Sequence, residues 1–562
     1  MLPIFYALSM NNSDIRQDGQ ECVNLLSYQG KKKMKIRIST LILIIILAFL
    51  CFRPVWNEDV WTESYRRLAR MIDVIDQNYY KQVDREELTY ASIRGMLRTL
   101  DPYSNFLDPQ NLSTLREDYK GKYYGLGIMI QKQADRLMVI SPIEGTPAYR
   151  LGIQPGDIIS HIEGESTKPI SSFEAMQRLR GEKDTQVNVT IIREGMDEPL
   201  DFTITREEIP LHSVPYAFML TEDIGYIFIR NFAETTTDEL EEKLKDLKDQ
   251  GMEKLILDLR GNGGGTFIQS LEISDEFLSK EDMIVSIRGR NKMYNRELRA
   301  FYNDQYEDLP LIILINQGSA SASEIVSGAV KDNDRGLIIG DNSWGKGLVQ
   351  TVFPLSQDAA VSLTTAKYYT PSGRSIQKDY SHIENFLLNR EVPEESREVA
   401  YTAGGRKVLG QGGIAPDYEI KFSYQNVTYN MLARGLFFSY ARSFADKKTP
   451  LSKTYIFPEG EERPLEDVSG GRKVFSADLT IDTPIFNDFK VFLREKAFEF
   501  EEKDFEQALE QIKRELQREL VSAVYSIDAG TKIYRLNDPV IKKAFEVFPE
   551  AEALVRSYNK ES

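Results

Sequence analysis

The sequence predicts an α+β chain of several domains, and three observations carry that reading. Short strands alternate with helices from Ile224 to Phe353, the pattern of an α/β core. From Tyr123 to about Glu208, short β-rich runs with turn signals take over. Beyond about Ser423 the pattern is helical periodicity with dense mixed charge, as in Thr428–Asp446 and Phe486–Tyr525. A chain of 562 residues has room for several such bodies and a large core.

In chain order, residues 1–33 carry no domain pattern, and translation is expected to start at Met34. Residues 34–56 read as a signal anchor. The basic run Lys31–Arg37 precedes the apolar run Ile38–Phe52, no small-x-small cleavage site follows, and Leu50 is too large for lipidation at Cys51. Basic residues on the inner side predict a single N-terminal pass of the inner (cytoplasmic) membrane, with the body in the periplasm or an equivalent exterior space. The only cysteines, Cys22 and Cys51, precede the body, so it can build neither a disulfide framework nor a zinc site. No metal or cofactor is expected. A formal charge of −16 leaves no basic footprint for nucleic acid.

Residues 57–120 read as a helical segment. Tyr65–Ile75 and Tyr90–Leu97 carry apolar residues every three or four positions, and Asp101-Pro102 breaks the second. Residues 121–208 form the β-rich body, with strands expected at Val187–Arg193 and Phe202–Arg206. Its Gly125-Leu-Gly-Ile128 resembles the carboxylate-binding loop of a PDZ domain, in which backbone N–H groups capture a peptide C-terminus. Ser141–Ala148 and Gly152-Ile-Gln-Pro-Gly-Asp-Ile-Ile159 match the turn-helix and Gly-Asp turn of that fold. A Gly-x-Gly loop alone usually just turns.

Residues 209–422 hold the chemistry. Leu311-Ile-Ile-Leu-Ile315 suits a buried strand, Asn316–Ser319 a turn, and Ser321–Val330 a helix. That junction puts a serine at a helix N-terminus, where free N–H groups favour an oxyanion. Ser321-x-x-Glu324 also fits a plain capping box. Only three histidines are present, His161, His212 and His382, none near a Gly-bracketed serine, so a Ser-Lys pair is the better hypothesis. Lys346 sits between Gly345 and Gly347, ahead of the strand run Leu348–Phe353. A base must be neutral, whereas a free lysine titrates near about 10.4, so burial has to lower it. Gln350, four residues on, is expected on the same face of a strand as Lys346. An isolated lysine would otherwise read as a snorkelling surface residue.

Ser319-Ala-Ser-Ala-Ser-Glu324 with Gly345-Lys-Gly-Leu-Val-Gln350 resembles the carboxyl-terminal processing (tail-specific) proteases, Ser-Lys peptidases that carry a PDZ domain. Leu100-Asp-Pro-Tyr-Ser104, Leu257-Asp-Leu-Arg-Gly-Asn-Gly-Gly-Gly265, Tyr368-Tyr-Thr-Pro-Ser-Gly373 and Gly412-Gly-Ile-Ala-Pro-Asp417 match further pieces, in order, from about Tyr65 to Asp417. The resemblance implies a ClpP/crotonase-like α/β core with an inserted PDZ domain. It makes Ser321 the nucleophile, Lys346 the base and Gln350 the residue that orients the lysine. It places the oxyanion hole at Ala322 and Gly264, with Gly265 as the alternative, and peptide capture at Gly125, Leu126, Gly127 and Ile128. It assigns Arg180 a regulatory role, relaying ligand occupancy to the active site. Lys378–Gln411 reads as an insertion.

Expected partners are protein substrates with unstructured, apolar C-termini. The extension 423–562 leaves two uses open, a homo-oligomer contact or an adaptor site. The competing functional readings are a catalytically silent PDZ scaffold and hydrolysis of a non-peptide acyl substrate. Ser321, Lys346 and Gln350 occurring together favours the peptidase.

Overall fold

The structure, a computed structural model, describes residues 60–133, 135–302, 306–381, 393–457 and 473–561. The expected anchor, Cys22, Cys51, Met34 and His382 lie outside them. Among the described residues no helix is long and apolar enough to cross a membrane. A boundary between two compact units falls between Thr89 and Tyr90.

Helix α1 (Val60–Asn78) leaves Leu68, Met71 and Val74 exposed. Helix α2 (Arg85–Leu97) crosses the boundary, and its later residues Ile93 and Leu97 pack on Phe106 of β1 (Asn105–Leu107). Asp108 caps α3 (Pro109–Lys120) by accepting from Asn111 N–H at 2.9 Å, and Gly121 at φ 64° ends it.

Strand β2 (Lys122–Gly125) leads into the small body. There β3 (Ile128–Gln133), β4 (Arg136–Pro142), β5 (Ile158–Ile162), β7 (Gln186–Ile192) and β8 (Leu200–Thr205) form one sheet in that order, with β6 (Glu165–Ser166) on β5. Strand β9 (Glu207–Pro210) leads out and pairs with β2, so the body hangs on a two-stranded stalk. Helices α4 (Pro147–Arg150) and α5 (Ser172–Leu179) complete it, with Ala148, Ala175 and Leu179 buried against Val139, Ile159 and Val189.

The core alternates as expected: β10 (Tyr216–Met219), β11 (Ile224–Phe228), α6 (Thr236–Asp249), β12 (Lys254–Asp258), α7 (Phe267–Asp275), β13 (Met283–Gly289), β14 (Arg296–Arg299), β15 (Leu311–Ile315), α8 (Ala322–Asp332), β16 (Leu337–Gly340), β17 (Leu348–Pro354) and β18 (Ala360–Tyr369). The segment read as an insertion carries a hairpin, β19 (Val399–Tyr401) with β20 (Lys407–Leu409), and β21 (Tyr418–Glu419) follows. One sheet runs β10-β11-β12-β15-β16-β21, parallel except for β10. In the second, β18 pairs β17 on one edge and β1 and β13 on the other.

A parallel sheet has to be covered on both faces. On one, Ile227, Leu257 and Ile313 pack under Leu240 and Leu244 of α6 and Val326 of α8. On the other, Tyr226, Ile256, Ile312 and Ile339 meet Val540, Ile541, Ala544, Val547 and Phe548 of the last helix.

The chain reaches that helix through α9 (Asn426–Ala433), α10 (Leu436–Ala445), β22 (Tyr455–Ile456), β23 (Lys473–Val474), α11 (Thr483–Glu495), α12 (Glu502–Gln507), α13 (Leu509–Val524) and α14 (Ile527–Leu536). These share an aromatic core around Phe437, Phe444, Phe475 and Phe489, and α15 (Pro539–Glu561) then returns to the sheet. Residues 423–562, expected as a helical C-terminal extension, are largely helical, and α15 packs as a layer on the core sheet. The helical run Thr428–Asp446 is two helices, parted at Gly435, where φ is 63° and a Cβ would stand 2.1 Å from Gln133 Nε2 of β3.

Candidate active site

Ser321 stands where the buried strand β15 turns into α8, at φ 57°, ψ −111°, a conformation costly for a residue with a Cβ. Its neighbours hold it there. Ser319 Oγ donates to Leu259 O at 2.7 Å, Ala320 N–H to Asn262 O at 2.9 Å, and Ser323 Oγ to Asn262 O at 2.9 Å. A sharp strand-to-helix bend is the geometry that presents a nucleophilic serine.

Glu324 is fully buried and does more than cap a helix. Its Oε2 accepts the N–H groups of Ser321 (2.8 Å) and Lys346 (2.9 Å), and its Oε1 those of Gly345 (2.7 Å) and the Ser343 hydroxyl (2.5 Å). Burial raises its pKa, and these four donors oppose the rise. From the other side the hydroxyl of Tyr368, itself buried, donates to Ser321 O at 3.2 Å and to Lys346 O.

The glycines around Lys346 are required by close approach. A Cβ on Gly345, at φ 90°, would lie 3.0 Å from Lys378 Cβ, and one on Gly347 3.0 Å from Gln377 N. The Lys346 ammonium lies over the Tyr103 ring, 5.4 Å from its centroid. Burial lowers its pKa, against the pull of the Glu324 and Asp101 charges.

The strand argument for Gln350 does not hold. Lys346 precedes β17 in irregular backbone, and the β17–β18 register shifts between Val349 and Gln350, so alternation does not relate the two. Gln350 Nε2 donates to Thr364 Oγ1 at 3.3 Å. Thr364 N–H donates to Ser104 Oγ at 3.1 Å, and Ser104 Oγ to Asp101 Oδ2 at 2.8 Å. Asp101 also accepts the N–H groups of Tyr103 and Ser104, at 2.8 and 2.7 Å, so this turn sets both the ring under the lysine and the support of Gln350.

The oxyanion expectation is corrected at Gly264. That glycine is buried, and its N–H donates to Asn262 Oδ1 at 2.9 Å. Gly265 is exposed; Gly264 O and Thr266 N–H make the bonds to Phe232, which turns the Gly265 N–H to the opposite side. Ala322 is the first residue of α8, so its N–H has no intrahelical partner.

One cavity of about 780 Å³ is lined by Ser321, Ala322, Gly264, Gly265, Lys346 and Gln350, together with Arg180. Arg180 ends α5, donates to Glu117 Oε2 at 2.7 Å and lies over the Tyr123 ring at 4.2 Å. It thus reaches the cavity from the small body. Asp118 lines it too, its pKa raised by burial against the Arg180 and Arg230 charges. Neither His161 nor His212 lines it.

None of Gly125–Ile128 lines the cavity, although a Cβ on Gly125 would lie 3.6 Å from Arg180 Cγ. Gly127, at φ 74°, has no space for a Cβ, which would sit 2.3 Å from Thr146 Cβ. Ile128 opens the edge strand β3, and Leu126, Ile128 and Ile130 pack in one cluster with Ala175 and Leu179 of α5. Tyr368, Glu324 as a clamp, Tyr103 and Asn262 are the residues that sequence reasoning left without roles. All four lie inside motifs quoted above, but their partners are distant in sequence.

The model of peptidase family S41 matches residues 223–384, that of the PDZ domain 125–204, and that of the activating protease CtpB N-terminal domain 55–111. The chain is 38% identical over 354 residues to a carboxy-terminal-processing protease of Bartonella bacilliformis, covering 62% of this chain and 81% of that one. It is 31% identical over 357 residues to the carboxy-terminal processing protease CtpA of Bacillus subtilis, covering 62% and 76%. To the carboxyl-terminal-processing protease of a Synechocystis species it is 36% identical over 303 residues, covering 52% and 70%.

Proposed function

Because the chain belongs to the carboxyl-terminal processing proteases, serine-type peptidases with a PDZ domain, we propose that it cuts protein substrates with a Ser321–Lys346 pair after capturing their C-terminal tails. Neutral Lys346 takes the Ser321 hydroxyl proton as Oγ attacks the peptide carbonyl. The N–H groups of Ala322 and Gly265 hold the tetrahedral oxyanion. The lysine then returns the proton to the leaving amine, giving an acyl-enzyme. Water, deprotonated by the same amine, releases the acyl group and restores the serine.

The observation that carries this reading is the shared clamp: Glu324 and Tyr368 each bind backbone atoms of both Ser321 and Lys346, at a cavity of about 780 Å³. Gln350 supports the wall beside the lysine. A free, apolar C-terminus enters the groove between β3 and α5, its carboxylate on the N–H groups of the Gly125–Ile128 loop. Arg180, which touches both the stalk residue Tyr123 and the cavity, passes that occupancy on. The basic-then-apolar leader supports an N-terminal anchor with the body outside the cytoplasm.

Incubating the protein with an unfolded substrate bearing an apolar C-terminus tests the reading. Wild type should form fragments and Ser321→Ala none; equal cleavage by both would end it.

A further inference from the structure

The Gly261–Gly265 loop, which supplies one oxyanion donor in the function proposed above, is not held by the core alone. It leaves β12 through Asp258, Leu259 and Arg260. Asp258 is fully buried and accepts from Arg260 Nε at 2.9 Å, Arg260 Nη2 at 2.6 Å and the Tyr226 hydroxyl at 2.8 Å. The third arm of the guanidinium points elsewhere: Arg260 Nη1 donates to Asp538 Oδ2 at 2.8 Å. Asp538, 4% exposed, stands at the head of α15, where its Oδ1 accepts Val540 N–H at 2.9 Å. Arg535 of α14 completes the group, its Nη1 3.8 Å from both Asp258 and Asp538. Two carboxylates and two guanidiniums therefore balance at the root of the loop.

What Arg260 fixes is transmitted directly. Gly261 N–H donates to Asn316 Oδ1 at 2.8 Å, and Asn262 O receives Ala320 N–H and Ser323 Oγ on either side of Ser321. A Cβ on Gly318 would lie 2.8 Å from Gly261 Cα, so the two turns touch. A shift at Arg260 moves the oxyanion loop and the nucleophile turn together.

We propose that Asp538 is a positioning residue for catalysis: by holding Arg260 against Asp258, the head of the C-terminal helix sets the oxyanion loop and the Ser321 turn. This rests on the peptidase reading above. An aspartate here accepts Arg260 Nη1 on Oδ2 and Val540 N–H on Oδ1, which an amide cannot do without turning its N–H₂ toward one of those two donors.

The test uses the full chain with Asp538→Asn, and with Glu552→Gln as a control that neutralises a half-buried α15 contact, the pair with Lys254, away from the loop. Asp538→Asn should lower kcat by roughly tenfold or more, the scale of a small misplacement of reacting groups, with KM within about twofold. Glu552→Gln should change neither. Amide hydrogen exchange should speed up at Gly261–Gly265 in Asp538→Asn and stay at the wild-type rate at β15. Unchanged kcat and loop exchange would overturn the proposal, as would losses shared equally by the control. If Asp538→Asn does not fold, Asp538→Glu, which keeps the charge on a longer arm, takes its place with the same readouts. If wild type itself shows no Ser321-dependent cleavage, the peptidase reading falls; loop exchange then decides alone whether Asp538 anchors the loop.

Discussion

The backbone N–H groups of Ser321 and Lys346 donate to the same oxygen, Glu324 Oε2, at 2.8 and 2.9 Å. The proposed nucleophile and base are thereby referenced to one atom, although Ser321 heads α8 and Lys346 lies in irregular backbone before β17. Side-chain freedom remains, but the two Cα positions cannot drift apart without leaving a buried carboxylate short of donors.

That geometry makes Lys346 a titrating switch. Its folded pKa is lowered by burial, so the unfolded chain binds the proton more tightly between that value and the ordinary one of about 10.4. Stability contributed by this group should therefore rise with pH across that window, and under the proposed dyad activity should rise through the lowered pKa as the amine becomes neutral. Lys346→Met should abolish turnover yet melt at or above wild type at neutral pH, with the difference shrinking toward the ordinary lysine pKa. Lys346→Arg should be inactive at every pH, because guanidinium stays charged. Rate profiles and melts against pH check both statements.

Glu324→Gln should lose activity without losing shape at that position. The carboxylate accepts four donors, whereas an amide offers one acceptor oxygen and turns an N–H₂ toward another donor. An orphaned buried N–H costs about 1–3 kcal/mol, so the melting temperature should fall. Phosphonylation of Ser321 by a fluorophosphonate probe, with loss of fluoride, should slow by roughly tenfold or more. Wild-type labelling in a destabilised Glu324→Gln protein would mean that the clamp serves folding only.

Much of this was legible because local chemistry and local pattern agree. Leu311–Ile315 reads as a buried strand and is one, with every residue at 0% exposure. The turn glycines and the serine cluster mark the bend at Ser321. What failed depended on partners far along the chain. Glu324 offers only a capping box locally, while three of its four donors come from Ser343, Gly345 and Lys346. The relation of Gln350 to Lys346 was drawn from strand alternation, which a register shift and irregular backbone remove. Gly264 and Gly265 are equivalent in sequence; the Asn262 side chain and the pairing with Phe232 separate them. Helix α15 has charged residues and an internal Pro549, so nothing local marks it as a layer of the core.

The proposed tail capture predicts that substrate ends are decisive. Amidating a free apolar C-terminus should raise KM by roughly tenfold or more, since the loop N–H groups lose a charged acceptor. Arg180→Ala removes the ion pair with Glu117 and the contact with Tyr123, and should narrow the difference in kcat between free and amidated tails. Competition assays with paired peptides measure both. If wild type cleaves the two tails equally, the small body does not select substrates.

The leader predicts place. Expressed from Met34 or earlier, the body should be digested by protease added to spheroplasts and should sediment with membranes, while a chain starting near Asn57 should be soluble. Chelators should leave activity unchanged. Protection of the body in intact spheroplasts would reverse the topology.

Removing α15 should unfold the core rather than trim an appendage. The helix buries Val540, Ile541, Val547 and Phe548 on Tyr226, Ile256, Ile312 and Ile339. At about 1.5–3 kcal/mol for each fully buried large apolar side chain, those four alone match the roughly 5–15 kcal/mol that separates most folded domains from their unfolded states. Deletion also bares the second face of a parallel sheet, an aggregation-prone surface. A chain ending at Asn537 should therefore be insoluble or bind a hydrophobic dye, and it should be inactive even where soluble. Single changes on the exposed side of the helix, such as Arg556→Ala at an ion pair of 3.9 Å with Glu552, should alter the melting temperature by no more than about 0.5 kcal/mol equivalent. A soluble, active chain without α15 would return the C-terminal residues to the status of an independent extension.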